Sequence, residues 1–323
     1  MGVMSIREAY GRALAAYGAE NPEVVVLDAD TSFSTLSHFF AEAFPDRFFN
    51  VGIAEPCLVD VAVGLALGGK IPFANAFAAL ISLRAAEQVR TSVCYARTNV
   101  KLAAGYAGLS DFKDGPSHNA IMDLAVMRAM PEMIVIVPAD AVETSKWVKV
   151  VAEYDGPVYL RLSRAAAPQV HDESLKVEIG KGLTLRPGDD VCLIATGSMV
   201  GRTVKAAEGL AREGIDARVL EIHTLKPLDR ELIIQAAEET GALVTAEEHS
   251  VIGGLAGAVS EALAEAFPTH LERVGLRDTF GRTGLDPETL MDFYGLGVED
   301  IIRAGRRALE RKTTGNVDRV RRA

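Results

Sequence analysis

Short, continuous apolar runs, each followed by a segment of helical periodicity, set the tightest limit on what this chain can fold into. VVVLDAD (24–30), FFNVGI (48–53), IPFANAF (71–77), VKLAAGYA (100–107), MIVIVPA (133–139) and PVYLRLS (157–163) read as strands. Most of them do not alternate apolar with polar residues. A strand of that kind is covered on both faces, as in a parallel sheet with helices packed above and below. Helices are expected at 5–17, 36–43, 56–68, 79–97, 120–129 and 141–154, the first opening on a capping box from Ser5 to Glu8. Strand–helix–strand order then implies right-handed crossovers.

Between 165 and 190 the rhythm stops and Pro, Gly and charged residues collect. A second alternation follows, with strands at 191–197, 217–223, 242–249 and 270–276, helices between them, and two final helices near 286–293 and 297–311. The 323 residues exceed one ordinary core and suit two of roughly 150. The expected fold is α/β, with two doubly wound domains at 1–187 and 188–323 and mostly parallel sheets.

The net charge of −10 argues against a nucleic-acid partner. Basic residues gather only near the end, at Arg306, Arg307, Arg311, Lys312, Arg319, Arg321 and Arg322, a pattern read as a solvated helix face and tail. Cys57, Cys94 and Cys192 are scattered among mostly apolar neighbours and read as reduced, buried thiols of a cytoplasmic protein, with no metal site built on them. Arg7 and Glu8 interrupt any signal-like start, and no apolar run nears the ~20 residues of a membrane span.

Ligands of doubly wound sheets bind beyond the carboxyl ends of the strands. There the first domain offers Asp28, Asp30, Glu55, Asn75, Asp114, His118 and Arg164. Glu55 is followed by Pro56, which suits the first helical turn, and by a helix apolar on nearly every face. Such a helix is buried or lies at a subunit interface. Glu55 is read either as a charge favouring the helix N-terminus or as a desolvated carboxyl suited to proton transfer. In DGPSHNA (114–120), Ser117 or Asn119 is a candidate cap for the next helix, and His118 sits on a rigid turn over the same edge.

Taken together, RFFNVGIAEPCLVDVAVGLALGGKIPFANAF, DGPSH, RAMPEMIVIVPAD and GPVYLRLSR, then ATGSMV, EIHTLKPLD, TAEEHSVIGGLAGAV and FYGLGVEDI, resemble the transketolase family of thiamine diphosphate enzymes. The resemblance covers only that family's pyrimidine-binding and carboxy-terminal domains. No Gly-Asp-Gly motif with a downstream Asn, which holds Mg²⁺ and the diphosphate in the family, is found; KDGP and YDGP stand in the wrong context. The chain thus looks like the carboxy-terminal subunit of a split transketolase, a transferase working with an amino-terminal subunit that carries the Mg²⁺ site.

The resemblance implies that Glu55 meets N1′ of the cofactor's aminopyrimidine and controls its tautomer. It sets Phe77 beside that ring and puts Leu80 and Leu83 where further aromatics are expected. His118 matches a histidine near the reacting carbon and Asp114 an acid that recognises a sugar hydroxyl. Arg7 and Arg164 match phosphate-binding arginines; Asp30 and Ser34 match substrate-channel positions. Tyr106 stands where the family has a second histidine. Leu80, Leu83 and Tyr106 leave the sugar open, a branched or sulfo-sugar included. The second domain, with His223, Glu247, Glu248 and His249 at strand ends, is assigned to assembly, and Gly253–Gly254 is read as packing or, alternatively, as an anion-binding helix start. The implied assembly is two copies of each subunit, joined near helices 56–68 and 79–97. Rival readings are the β subunit of a 2-oxo-acid dehydrogenase first component, a synthase condensing pyruvate with glyceraldehyde phosphate, and a non-catalytic structural subunit.

Overall fold

The computed structural model describes residues 4–322, with side chains described through 312, so Arg319, Arg321 and Arg322 lie outside the described side chains. Six apolar runs form β1 (Val24–Asp28), β2 (Phe48–Asn50), β3 (Ile71–Phe77), β4 (Lys101–Gly105), β5 (Ile134–Ile136) and β6 (Val158–Arg161). The second half contributes β7 (Leu183–Arg186), β8 (Val191–Ala195), β9 (Ala217–Glu221), β10 (Thr224–Lys226), β11 (Leu243–Ser250) and β12 (Leu271–Leu276). They make two sheets, in the orders β10-β5-β6-β4-β3-β1-β2 and β12-β11-β8-β9-β7. Pairing is parallel except at β10–β5 and β7–β9, both at sheet edges. The α/β reading of the sequence holds. β1, β4 and β8 are buried at every residue, which is why they carry no alternation.

Two strands were not expected. β7 lies in the stretch read as a linker, just ahead of the 187/188 boundary, and pairs into the second sheet. It is only partly buried, so its pattern is too polar to stand out. β10 follows β9 by two residues yet crosses back to the edge of the first sheet. The two sheets are therefore stitched together by the chain itself. One apolar cluster also runs across both halves, joining Leu58, Ile81 and Val93 to Cys192, Leu220 and Leu243.

Local detail corrects several expected elements. The first helix runs Ile6–Glu20, and Ser5 Oγ accepts from Glu8 N at 3.3 Å while the Glu8 carboxylate turns to Arg12 instead of closing the box. The helix expected at 36–43 is two, Ser32–Thr35 and His38–Ala43, because Leu36 takes a left-handed φ of 63° between them. The long helix at 79–97 breaks into Ala78–Leu83, Ala86–Gln88 and a wider π turn, Val89–Tyr95. The helix expected from 120 starts at Asp123 with no side-chain cap; Asn119 Nδ2 donates to Asp111 O and Ser117 Oγ meets its neighbour His118. Cys94 and Cys192 are buried, which pushes their thiols up to about 11 and about 12, but Cys57 is exposed, on the outer side of helix Glu55–Leu67. Among the described residues no helix is long and apolar enough to cross a membrane.

Candidate active site

The carboxyl ends of β1, β3, β4 and β6 share one edge of the first sheet, and most of the expected polar residues gather there. Two are spent on architecture. Asp28 accepts from Thr31 N (2.5 Å), Thr31 Oγ1 (3.0 Å), Thr35 Oγ1 (3.2 Å) and Ser37 Oγ (2.8 Å), tying down the turn after β1; burial nevertheless raises its pKa. Asn75 donates to Leu27 O and Phe73 O and accepts from Tyr10 Oη at 2.7 Å, so it fastens strands to the first helix and is not free for a ligand.

Beyond that layer is a cluster centred on Tyr106, which follows β4 with a left-handed φ of 61°. That backbone, rare for a residue with Cβ, marks a constrained position. The Tyr106 ring stacks on Phe77 with centroids 4.4 Å apart, and His118 meets Phe77 edge-on at 5.5 Å. Arg164 lies over the Tyr106 ring at 4.9 Å and Arg7 at 5.8 Å. Arg7 Nη1 donates to Ser34 O (2.8 Å) and to Tyr106 Oη (3.3 Å), while its Nε is buried without a partner. Ser34 thus contributes its carbonyl, and it sits inside a helix whose N-cap is Thr31. Asp30 is exposed and accepts from Asn50 Nδ2 at 2.9 Å.

The loop after β4 adds an acid that the sequence reading passed over. Asp111, fully buried, accepts from Arg164 Nη1 at 3.0 Å, and burial raises its pKa, helped by the neighbouring carboxyl of the exposed Asp114. Its spacing three residues before Asp114 was the available signal. Ser110 Oγ accepts from the Arg164 backbone N–H at 3.0 Å, so the loop fastens Arg164 at both its backbone and its guanidinium. His118 is half-buried, with Nδ1 2.9 Å from Ser117 Oγ.

Glu55 lies at the far end of segment 77–84. Phe77 begins that segment and Arg84 ends it, its Nη1 3.6 Å from Glu55 Oε1. Glu55 is the first residue of helix Glu55–Leu67 and is only 3% exposed. Between the two ends, Leu80 is half-buried and Leu83 is 47% exposed.

The second domain supports this edge. Glu248 Oε1 accepts from Leu109 N at 2.6 Å and its Oε2 accepts from Ser198 Oγ, fixing the start of the 108–119 loop. Arg161 joins Asp123 at 2.7 Å and donates to Glu248 O at 3.1 Å, and the arginine beside it holds Asp123 below the usual carboxylate range despite burial. Glu247 accepts from Leu255 N (2.7 Å) and Ala256 N (2.9 Å), capping helix Leu255–Ala266. The helix start after Gly253–Gly254 is therefore already occupied by the chain's own Glu247 carboxyl. His249 Nδ1 lies 2.7 Å from Ser250 O, and burial pushes its pKa down to about 4. Glu143, His171 and Glu221 form the one group with metal-ligand geometry among the described residues. His171 Nε2 lies 2.7 Å from Glu221 and His223 Nδ1 2.9 Å from Glu143. Burial drives the Glu221 pKa well up, while the neighbouring His223 holds that of Glu143 down.

Fold and edge together define a class: a two-domain α/β chain whose strand ends carry a buried carboxyl, an aromatic stack and two converging arginines. Residues 3–169 match the family model for the transketolase pyrimidine-binding domain and residues 180–301 that for the transketolase C-terminal domain. The chain belongs to the transketolase family. It is 43% identical to a putative transketolase C-terminal section from Methanocaldococcus jannaschii, covering 92% of this chain and 94% of that protein. It is 41% identical to a 6-deoxy-6-sulfo-D-fructose transketolase subunit from a Clostridium species, covering 95% of each. A solved structure described as a split gene transketolase, inactive beta4 tetramer, superposes with a TM-score of 0.89 at 50% identity, covering 96% of this chain and 99% of that one.

Proposed function

We propose that this chain is the carboxy-terminal subunit of a two-chain, thiamine-diphosphate-dependent transketolase that moves a two-carbon ketol unit between sugar phosphates. The observation that carries the reading is Glu55, a carboxyl 3% exposed at the entrance of an apolar helix. A buried acid at the start of an apolar helix fits the aminopyrimidine half of the cofactor. Glu55 would hold a proton at the ring nitrogen N1′, with Phe77, Leu80 and Leu83 lining the ring. When bound, the cofactor supplies the nucleophilic carbon that carries the ketol unit. Mg²⁺ and the diphosphate are assigned to the partner subunit.

His118 and Asp114 are read as contacts to the sugar hydroxyls, the first also as a proton carrier near the reacting carbon. Arg7 and Arg164 are read as the pair that receives the terminal anion, since guanidinium forks match phosphate oxygens. Tyr106 holds them apart and fills the place of a family histidine; Asp30 and Ser34 complete the channel. None of the relatives named above is described as a 2-oxo-acid dehydrogenase component, and a two-by-two assembly of the subunits is the arrangement this reading entails.

The test is turnover of a ketose phosphate by this chain reconstituted with an amino-terminal subunit, thiamine diphosphate and Mg²⁺. E55Q, which keeps the shape and removes the titrating oxygen, is expected to lower kcat by about 10²–10⁴-fold. The unpaired chain is expected to be inactive. Unchanged turnover by E55Q, or full activity of the chain alone, overturns the proposal.

A further inference from the structure

We propose that the second domain carries an anion site, separate from the edge described above, for a small, multiply charged phosphorylated molecule. The site is a cleft of about 430 Å³ between the end of β12 and the segment 293–307. Four arginines line it: Arg273 on β12, Arg277 just beyond it, and Arg303 and Arg307 on the final helix Val298–Arg322. Four guanidinium groups in one concavity stand out in a chain of net charge −10. Asp300 also lines it, which leaves an excess of positive charge, and a cleft with such an excess focuses its field and raises the local concentration of counter-ions.

The four are not equivalent. Arg303 pairs with Asp300, and Arg307 Nε pairs with Glu272 at 3.1 Å. Arg273 and Arg277 have no carboxylate partner among the described residues; Arg277 Nη2 donates instead to Arg273 O at 2.8 Å. Two uncompensated charges therefore remain, which selects a dianion or higher. The planar fork of each guanidinium favours phosphoryl oxygens over a single-atom anion. Gly295 also lines the cleft, and a Cβ there would come no nearer than 3.6 Å to Asp300, so the backbone is open on that side. The rim is braced by Tyr294 Oη, which donates to Phe280 O at 2.9 Å. The sequence pattern around Arg307 reads as a solvated basic face; the fold instead turns Arg303 and Arg307 back toward two arginines some thirty positions earlier.

The probe is pyrophosphate, titrated calorimetrically into the full chain at low ionic strength. Saturable binding is expected in the wild type and in R164A, which alters the proposed substrate edge. R273A/R277A, two exposed positions with no described packing role, is expected to bind at least ~10-fold more weakly at an unchanged melting temperature, and inorganic phosphate more weakly than pyrophosphate in the wild type. The proposal fails if no saturable binding occurs, if R273A/R277A binds as the wild type does, if R164A alone abolishes binding, or if phosphate binds as tightly as pyrophosphate.

Discussion

Glu247 carries the clearest pH signature of any single residue. Burial raises its pKa to about 7 even though two backbone N–H groups pull the other way. An unfolded Glu titrates near 4.3, so the folded chain binds an extra proton between those values. The stabilisation from that proton is complete below the unfolded value and is lost as pH rises through about 7. His249 has the opposite sign: its pKa near 4 gives stability present above the unfolded value of about 6.5 and lost as pH falls through 4. The two offset each other between about 4.3 and 6.5 and separate above that. In melting curves, E247Q is expected to flatten the fall in Tm between about pH 6.5 and 8, where about half a pH unit of the linkage remains, worth roughly 0.7 kcal/mol. An identical pH slope in wild type and variant would contradict this. The sequence marked Glu247 as a strand-end acid, but its partner N–H groups lie eight and nine residues on, across a turn.

Among the elements, the 108–119 loop depends most on its surroundings. It has no long regular structure and is clamped by Glu248 at Leu109 N and by Arg164 at Asp111. Gly108 makes the clamp possible. Its φ is +64°, and a Cβ there would stand 2.5 Å from Glu248 Oε1. G108A is therefore expected to cost about 1–3 kcal/mol, from the left-handed backbone and the lost clamp, and to raise KM for the sugar phosphate more than it lowers kcat. Thermal melts with steady-state kinetics of the reconstituted enzyme check both; unaltered Tm and KM would show that the seam does not control the loop. The loop's chemistry, DGPSH, was plain in the sequence. Its support was not, because Glu248 is 139 positions from Leu109.

For the molecule as a whole, helix Glu55–Leu67 is the exposed apolar surface that most needs an explanation. Leu58, Val59 and Ala62 face inward, while Val61 is 38% and Leu67 76% exposed, with Tyr95 at 89% on the neighbouring π turn. A helix apolar all round is stable only when its outer side is also covered. We expect this side to meet another chain of the assembly. V61E/L67E is expected to shift the sedimentation profile toward the monomer while leaving the far-ultraviolet circular dichroism unchanged, since neither residue belongs to the buried core. A variant that sediments as the wild type does would place the interface elsewhere.

The sequence by itself determined the α/β class, the order of the major strands and the identity of the polar residues after them. Unbroken apolar runs have only one stable use, a sheet covered on both faces, and strand ends are where such sheets leave polar groups. Only the tertiary structure decided which of those residues meet. Asp28 and Asn75 turned inward to bind backbone, Asp111 joined Arg164, and Glu247 filled the helix start after Gly254. It also added β7 and β10, short edge strands too brief and too polar to leave a periodic trace. Such choices depend on partners far away in the chain, so no local window of residues contains them.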